Sequence, residues 1–168
     1  GKTQWTAPSK PTNPSTLKGQ QGQSSSSSED HDGEQTRKKV AQKTAIIVPF
    51  RDLHAEQKRK QHLEVFIPAM TEYLSSTKCP FKIFIIEQSD DGRKFNRGKL
   101  LNVGFSYAEA QQCTSFIFHD VDLIPSEELK NWYTSIPQQP AHIARVWNRY
   151  SDNPKYFGGV VSFSRDQY

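Results

Sequence analysis

The chain has 168 residues, 34% hydrophobic and 24% charged, which allows one modest domain together with an unfolded segment. Most of its +4 formal charge lies in residues 1–43, so the remainder is close to neutral and has no cationic surplus of the kind that binds nucleic acid. No apolar run reaches the roughly 18 residues a spanning helix needs, and Cys79 and Cys113 are too few for a disulfide framework, lack metal-site spacing and read as free thiols.

Residues 1–43 are rich in Lys, Thr, Gln, Pro and Gly, contain the run Ser24 to Ser28, and have Trp5 as their only aromatic residue. Such a segment cannot bury enough apolar surface to offset its ordering entropy, so it reads as a disordered tail, linker or stem. The chain opens on Gly1 with no signal-like segment behind it. It therefore reads as a piece of a longer protein whose missing part could hold an anchor.

Order is expected from Thr44 to Tyr168. Ala45 to Val48 is a short, mostly β-branched run closed by Pro49, the pattern of a first buried strand. From Ala55 to Leu74 the period becomes helical. Leu63, Phe66, Ile67, Met70 and Leu74 share one face, and Pro68 predicts a kink or two abutting helices. Phe81 to Ile86 is a second strand, and a polar loop from Glu87 to Lys94 leads to a helix capped by Asn96, with Leu100, Leu101, Val103, Phe105, Tyr107 and Ala108 on its apolar face.

Residues 116–119 form a third strand, which runs into Asp120-Val121-Asp122 and stops before Pro125. Ser126, Glu127 and Glu128 read as the cap and acidic first turn of a short helix through Trp132, and 142–146 and 159–163 as further strands. Tyr107, Trp132 and Trp147 are taken as packing residues. His119, ending a buried strand, reads as a hydrogen-bonded core histidine, although a ligand role beside a carboxylate stays open.

Alternation of strand and helix predicts a Rossmann-like α/β fold, a mostly parallel sheet flanked by helices. That architecture brings the ends of three strands to one sheet edge: Arg51, then Phe95 with Arg97, then Asp120 with Asp122. Guanidinium suits phosphate, an aromatic face suits a base, and carboxylate suits a hard cation, which together make the inventory for a nucleoside diphosphate with a divalent metal. Taken singly, the Asp-x-Asp pair is equally a solvated turn, Arg51 and Arg97 surface arginines, Phe95 a core aromatic and Gly158-Gly159 an ordinary turn.

Four motifs in order, Val48-Pro49-Phe50-Arg51, Phe95 to Phe105, His119 to Pro125 and Tyr156-Phe157-Gly158-Gly159-Val160, resemble the β-1,4-galactosyltransferase family, over about Thr44 to Tyr168. The resemblance implies a GT-A type fold and a manganese-dependent, inverting transfer of galactose from UDP-galactose to a sugar hydroxyl on a glycan acceptor, on the lumenal side of the Golgi. It places Pro49, Phe50 and Arg51 along the nucleotide and Phe95 and Arg97 against uridine diphosphate. Asp122 becomes the metal ligand, Asp120 and Val121 lie beside ribose and donor sugar, and Tyr156, Gly158 and Gly159 surround the sugar.

The chain departs from the family in three respects. Leu53 stands where a second arginine is common, Gly98 replaces a frequent alanine, and the acidic motif and later metal-binding histidine of the family are expected beyond Tyr168, so that no catalytic base is assigned within this chain. Two rival readings remain: transfer from UDP-N-acetylgalactosamine or another UDP-sugar, and a non-catalytic module that binds nucleotide and metal.

Overall fold

The computed structural model describes residues 41–144 and 158–168. Residues 1–40 of the expected tail lie outside them, as do Tyr156, Trp147 and the last two residues of the strand expected at 142–146. Within the described part, Lys43 is already tied to the domain: its N–H donates to Thr114 Oγ1 at 2.9 Å and its carbonyl accepts from the Thr114 N–H at 2.8 Å.

Strand β1 (Thr44–Phe50) is buried along its whole length. It runs two residues further than the Pro49 stop predicted. On one side it pairs in parallel with β2 (Phe81–Glu87) to the end, and on the other its parallel pairing with β3 (Ser115–His119) ends at Ile47 opposite Phe118. Pro49 thus lies where that second ladder has ended, and its missing N–H costs no bond there.

Helix α1 (Arg59–Ser75) follows a 3-10 turn at Ala55–Gln57 and Lys58, whose left-handed backbone (φ 49°) breaks the two apart. The break falls at Lys58 and not at Pro68, through which the helix continues. Pro68 and Glu64, whose carbonyl loses its partner, are both exposed, so water can satisfy the freed oxygen. The buried face is Phe66, Met70, Tyr73 and Leu74, while Ile67 is 41% exposed. Tyr73 takes the place that periodicity assigns to Ile67.

Helix α2 (Arg97–Ala110) starts as predicted, with Asn96 Oδ1 accepting from the Lys99 N–H at 3.0 Å. Its inward face is Leu100, Leu101, Gly104 and Ala108. At Gly104 an added Cβ would fall 2.3 Å from Ile47 Cγ2, so α2 lies directly on β1 and β2 because this residue has no side chain. Tyr107, expected to pack, is 61% exposed.

The chain then adds one strand in the sense of β3 and one in the opposite sense. Glu127–Leu129 form a 3-10 turn that leads into α3 (Lys130–Tyr133), and the Ser126 hydroxyl donates to Glu128 Oε2 and does not cap. Tyr133 is the buried anchor of this segment, and Trp132, expected to pack, is 44% exposed. Two-residue β4 (Ala141–His142) pairs antiparallel with β5 (Val160–Ser164), which in turn pairs antiparallel with β3. The sheet order is β2-β1-β3-β5-β4.

Alternation along the central strands divides the core. Ile46, Val48, Phe50 and Ile117 face α1, together with Tyr133, Val121 and Leu123, whereas Ala45, Ile47, Phe116 and Phe118 face α2 with Phe163. A sheet covered on both faces leaves only its edges and strand ends to meet ligands.

Candidate functional site

β1 and β3 are parallel neighbours, so their C-terminal ends emerge side by side, with the β2–α2 loop across from them. That loop is tied down by Gln88, a residue for which sequence gives no functional signal. Its Oε1 accepts from the Asn96 N–H at 2.8 Å, its Nε2 donates to the Lys94 carbonyl at 3.2 Å, and its N–H donates to the Phe50 carbonyl at 2.9 Å.

Between the loop and the start of α1 lies an open cavity of about 430 Å³, lined by Arg51, Leu53, His54, Gln57, Arg59, Gly92, Arg93, Lys94 and Phe95. It has four permanent cations and no carboxylate. Arg51 is fixed across it, Nη1 donating to the Arg93 carbonyl at 2.6 Å. Phe95 is 39% exposed, a large amount for a ring of that size, and is available to a flat partner. Of the residues picked out from sequence, Arg51 and Phe95 meet in this cavity. Arg59, Arg93 and Lys94 were not picked out, because single basic residues in polar segments carry no pattern.

Asp120 organises the other half of the site. Arg97 Nη2 and Nε donate to its Oδ1 at 2.9 and 3.3 Å, and the Gly159 N–H donates to its Oδ2 at 3.2 Å. The Asp120 N–H returns a bond to the Gly159 carbonyl at 3.1 Å. Gly159 has φ +74°, and a Cβ there would meet Ala144 Cβ at 3.1 Å, so both conformation and space require glycine. Gly158 offers its carbonyl to His142 Nε2 at 2.7 Å. In this structure Gly159 thus lets backbone approach the Asp120 carboxylate.

Three residues assigned to the ligand by resemblance have buried side chains. Pro49 is inside the sheet, the Phe50 ring is 4% exposed and Val121 is 1% exposed, so each meets a ligand only through backbone. Asp122, by contrast, is exposed. Its hard oxygens suit a divalent cation that takes one or two protein carboxylates and draws its other ligands from phosphates and water. Among the described residues no three His, Cys, Asp or Glu side chains gather into a metal cluster.

His119 is fully buried at the end of β3, with hydrogen bonds at both ring nitrogens. Burial lowers its pKa to about 4, against the opposing pull of the Asp120 carbonyl and the Asp122 carboxylate. It is therefore neutral near pH 7.

A mostly parallel sheet with acidic residues at the end of its central β3 strand and a basic cleft beside them is the GT-A arrangement found in glycosyltransferases. A mutant of Drosophila β1,4-galactosyltransferase 7, solved in complex with manganese, UDP-Gal and xylobiose, superposes with a TM-score of 0.63 at 32% identity, covering 76% of this chain and 50% of that one. Residues 10–135 match the model for the N-terminal region of glycosyl transferase group 7, and the chain belongs to that family.

Among individual relatives, β-1,4-galactosyltransferase 4 of Cricetulus griseus is 39% identical over 137 residues, covering 77% of this chain and 36% of the relative. The human β-1,4-galactosyltransferase 3 is 37% identical over 130 residues, covering 75% and 31%. The chain thus spans about a third of the length of these relatives.

Proposed function

We propose that this chain supplies the donor-nucleotide half of a manganese-dependent β-1,4-galactosyltransferase, binding UDP-galactose for transfer to a sugar hydroxyl of a glycan in the Golgi lumen. The observation that carries the reading is a carboxylate-free basic cavity that contains Phe95, two residues before the Arg97 that donates to Asp120. The solved relative in complex with manganese, UDP-Gal and xylobiose supports the same donor, cation and acceptor class.

In this mechanism the acceptor hydroxyl oxygen bonds to the anomeric carbon as the bond to the diphosphate oxygen breaks, the electron pair leaves with UDP, and the hydroxyl proton passes to a base that is not assigned within this chain. Phe95 offers its face to uracil, and Arg51, Arg93 and Lys94 lower the cost of bringing a diphosphate against the sheet. Arg97, held by Asp120, directs its remaining charge to the same edge. Asp122 would hold the cation, which supplies neutralisation of the developing diphosphate charge. Tyr156, which lies outside the described residues, is proposed beside the donor sugar.

Titration calorimetry of UDP with and without manganese tests the reading. Micromolar to millimolar binding that needs the metal is expected. Binding that ignores manganese, or no binding at all, would refute it.

A further inference from the structure

Between the two halves of the site, a buried chain of polar groups ends on the peptide that joins Asp120 to Val121. The Asp120 carbonyl can only accept, so His119 Nδ1, 2.8 Å away, carries the proton. The imidazole is neutral, and Nε2 is therefore the acceptor for the Tyr133 hydroxyl at 2.8 Å. Tyr133 is itself held in place. Its carbonyl accepts from Thr44 Oγ1 at 3.0 Å, and its ring meets Tyr73 edge-on at 5.5 Å. Tyr73 in turn donates to the Ser126 carbonyl at 3.0 Å, at the far end of the same loop, and Phe66 packs edge-on against the imidazole at 5.0 Å.

We infer that His119 and Tyr133 form a positioning pair, which sets the orientation of the Asp120–Val121 peptide and through it the presentation of both carboxylates to the donor and its cation. A leucine could fill the same buried volume without two polar nitrogens to satisfy, so packing alone gives no reason for histidine here. What the ring adds is direction. With the Asp120 carbonyl turned in toward the imidazole, planar trans geometry turns the Val121 N–H the opposite way, out of the core. Val121, whose side chain is buried, thereby gains a backbone donor directed outward, beside the carboxylate that Arg97 and Gly159 hold. The orientation is preset, and the ligand need not impose it.

The inference rests on the donor-site reading, and its test separates the two. Manganese-dependent UDP binding is measured by calorimetry for the full chain and for three variants, and imidazole tautomers are read by long-range ¹H–¹⁵N correlation spectra. The unaltered chain should show His119 protonated at Nδ1. His119→Gln, whose amide reaches the place of Nε2, should weaken UDP binding about tenfold or more, as losing an outer-shell partner does. His119→Asn, whose amide nitrogen reaches the place of Nδ1, should recover most of that loss. Tyr133→Phe keeps the ring and should still weaken binding several-fold. No metal-dependent binding by the unaltered chain would overturn the donor-site reading and the positioning role together. Normal binding by the unaltered chain, with unchanged affinity in His119→Gln and Tyr133→Phe, would overturn the positioning role alone. So would an Nε2-protonated ring, or Asn and Gln variants that lose affinity equally and in step with their melting temperatures.

Discussion

Arg97 and Asp120 hold one another across the mouth of the sheet, the guanidinium directing both Nη2 and Nε at a single carboxylate oxygen while the Gly159 N–H takes the other. About a third of each side chain is exposed, so the pair is open to an incoming ligand and its interaction is weakened by solvent. On the proposed reading, a diphosphate arriving at this edge would compete with Asp120 for the same arginine. The two aspartates would then do different work, although they stand one residue apart.

Asp122→Asn is expected to abolish the manganese dependence of UDP binding, because the amide leaves no equivalent charged oxygen for a hard cation. Asp120→Asn should reduce metal dependence far less and should release Arg97 from its carboxylate. Calorimetry of both variants across a manganese series checks the division. Equal losses would show that the two carboxylates act as one ligand set.

Phe95→Ala should weaken UDP by about 1–3 kcal/mol, the usual worth of an aromatic face under a base, with little change in fold because the ring is 39% exposed. Inorganic pyrophosphate, which has no base, should bind the variant and the unaltered chain alike. A variant that loses both ligands equally would place Phe95 in the scaffold.

The two glycines of α2 give opposite expectations for one chemical change. At Gly98 an added methyl meets only Asn96 Oδ1 at 3.9 Å, so Gly98→Ala should stabilise the fold by up to about 1 kcal/mol through helix propensity. At Gly104 the same methyl falls 2.3 Å from Ile47 Cγ2, so Gly104→Ala should destabilise by about 1–3 kcal/mol as α2 is pushed off the sheet. Urea denaturation of the two variants reads both signs directly.

His119 makes stability depend on pH. Its folded pKa, about 4, lies below the ordinary 6.5, so the unfolded chain binds a proton in this window that the folded chain refuses. The resulting loss is absent above about pH 6.5 and grows as pH falls toward 4, reaching about 3 kcal/mol if the full difference is expressed. Melting curves between pH 7 and 4 should fall less steeply for His119→Asn than for the unaltered chain. Parallel curves would assign the acid sensitivity to other groups.

The strands, both long helices and the cap at Asn96 were legible because each is written locally, in apolar period or in one side chain beside one N–H. Pairing was not. Nothing in Val160 to Ser164 announces that it lies antiparallel to β3, and that pairing is what delivers Gly159 to Asp120. At Pro68 the helix does not divide in two, and Glu64, whose carbonyl loses its partner, lies at the exposed surface. Gln88, Arg93 and Lys94 escaped notice because they act as a folded loop, whereas Arg51 and Phe95 were found through the motifs that contain them. Val121 was assigned to the ligand from its position in a motif, and only burial shows that its side chain is spoken for.

The central position of β1 has a consequence for how the polypeptide comes together. Thr44 registers with Phe81 on one flank and Ser115 on the other, so a strand buried along its whole length is made first and has its second edge covered only once β3 has been made. Until both crossovers have been synthesised and closed, a β-branched apolar ribbon stands with open hydrogen-bonding edges. During biosynthesis that interval is when the nascent chain is most prone to self-association, and it ends only when β3 docks, the same event that brings the acidic turn into being.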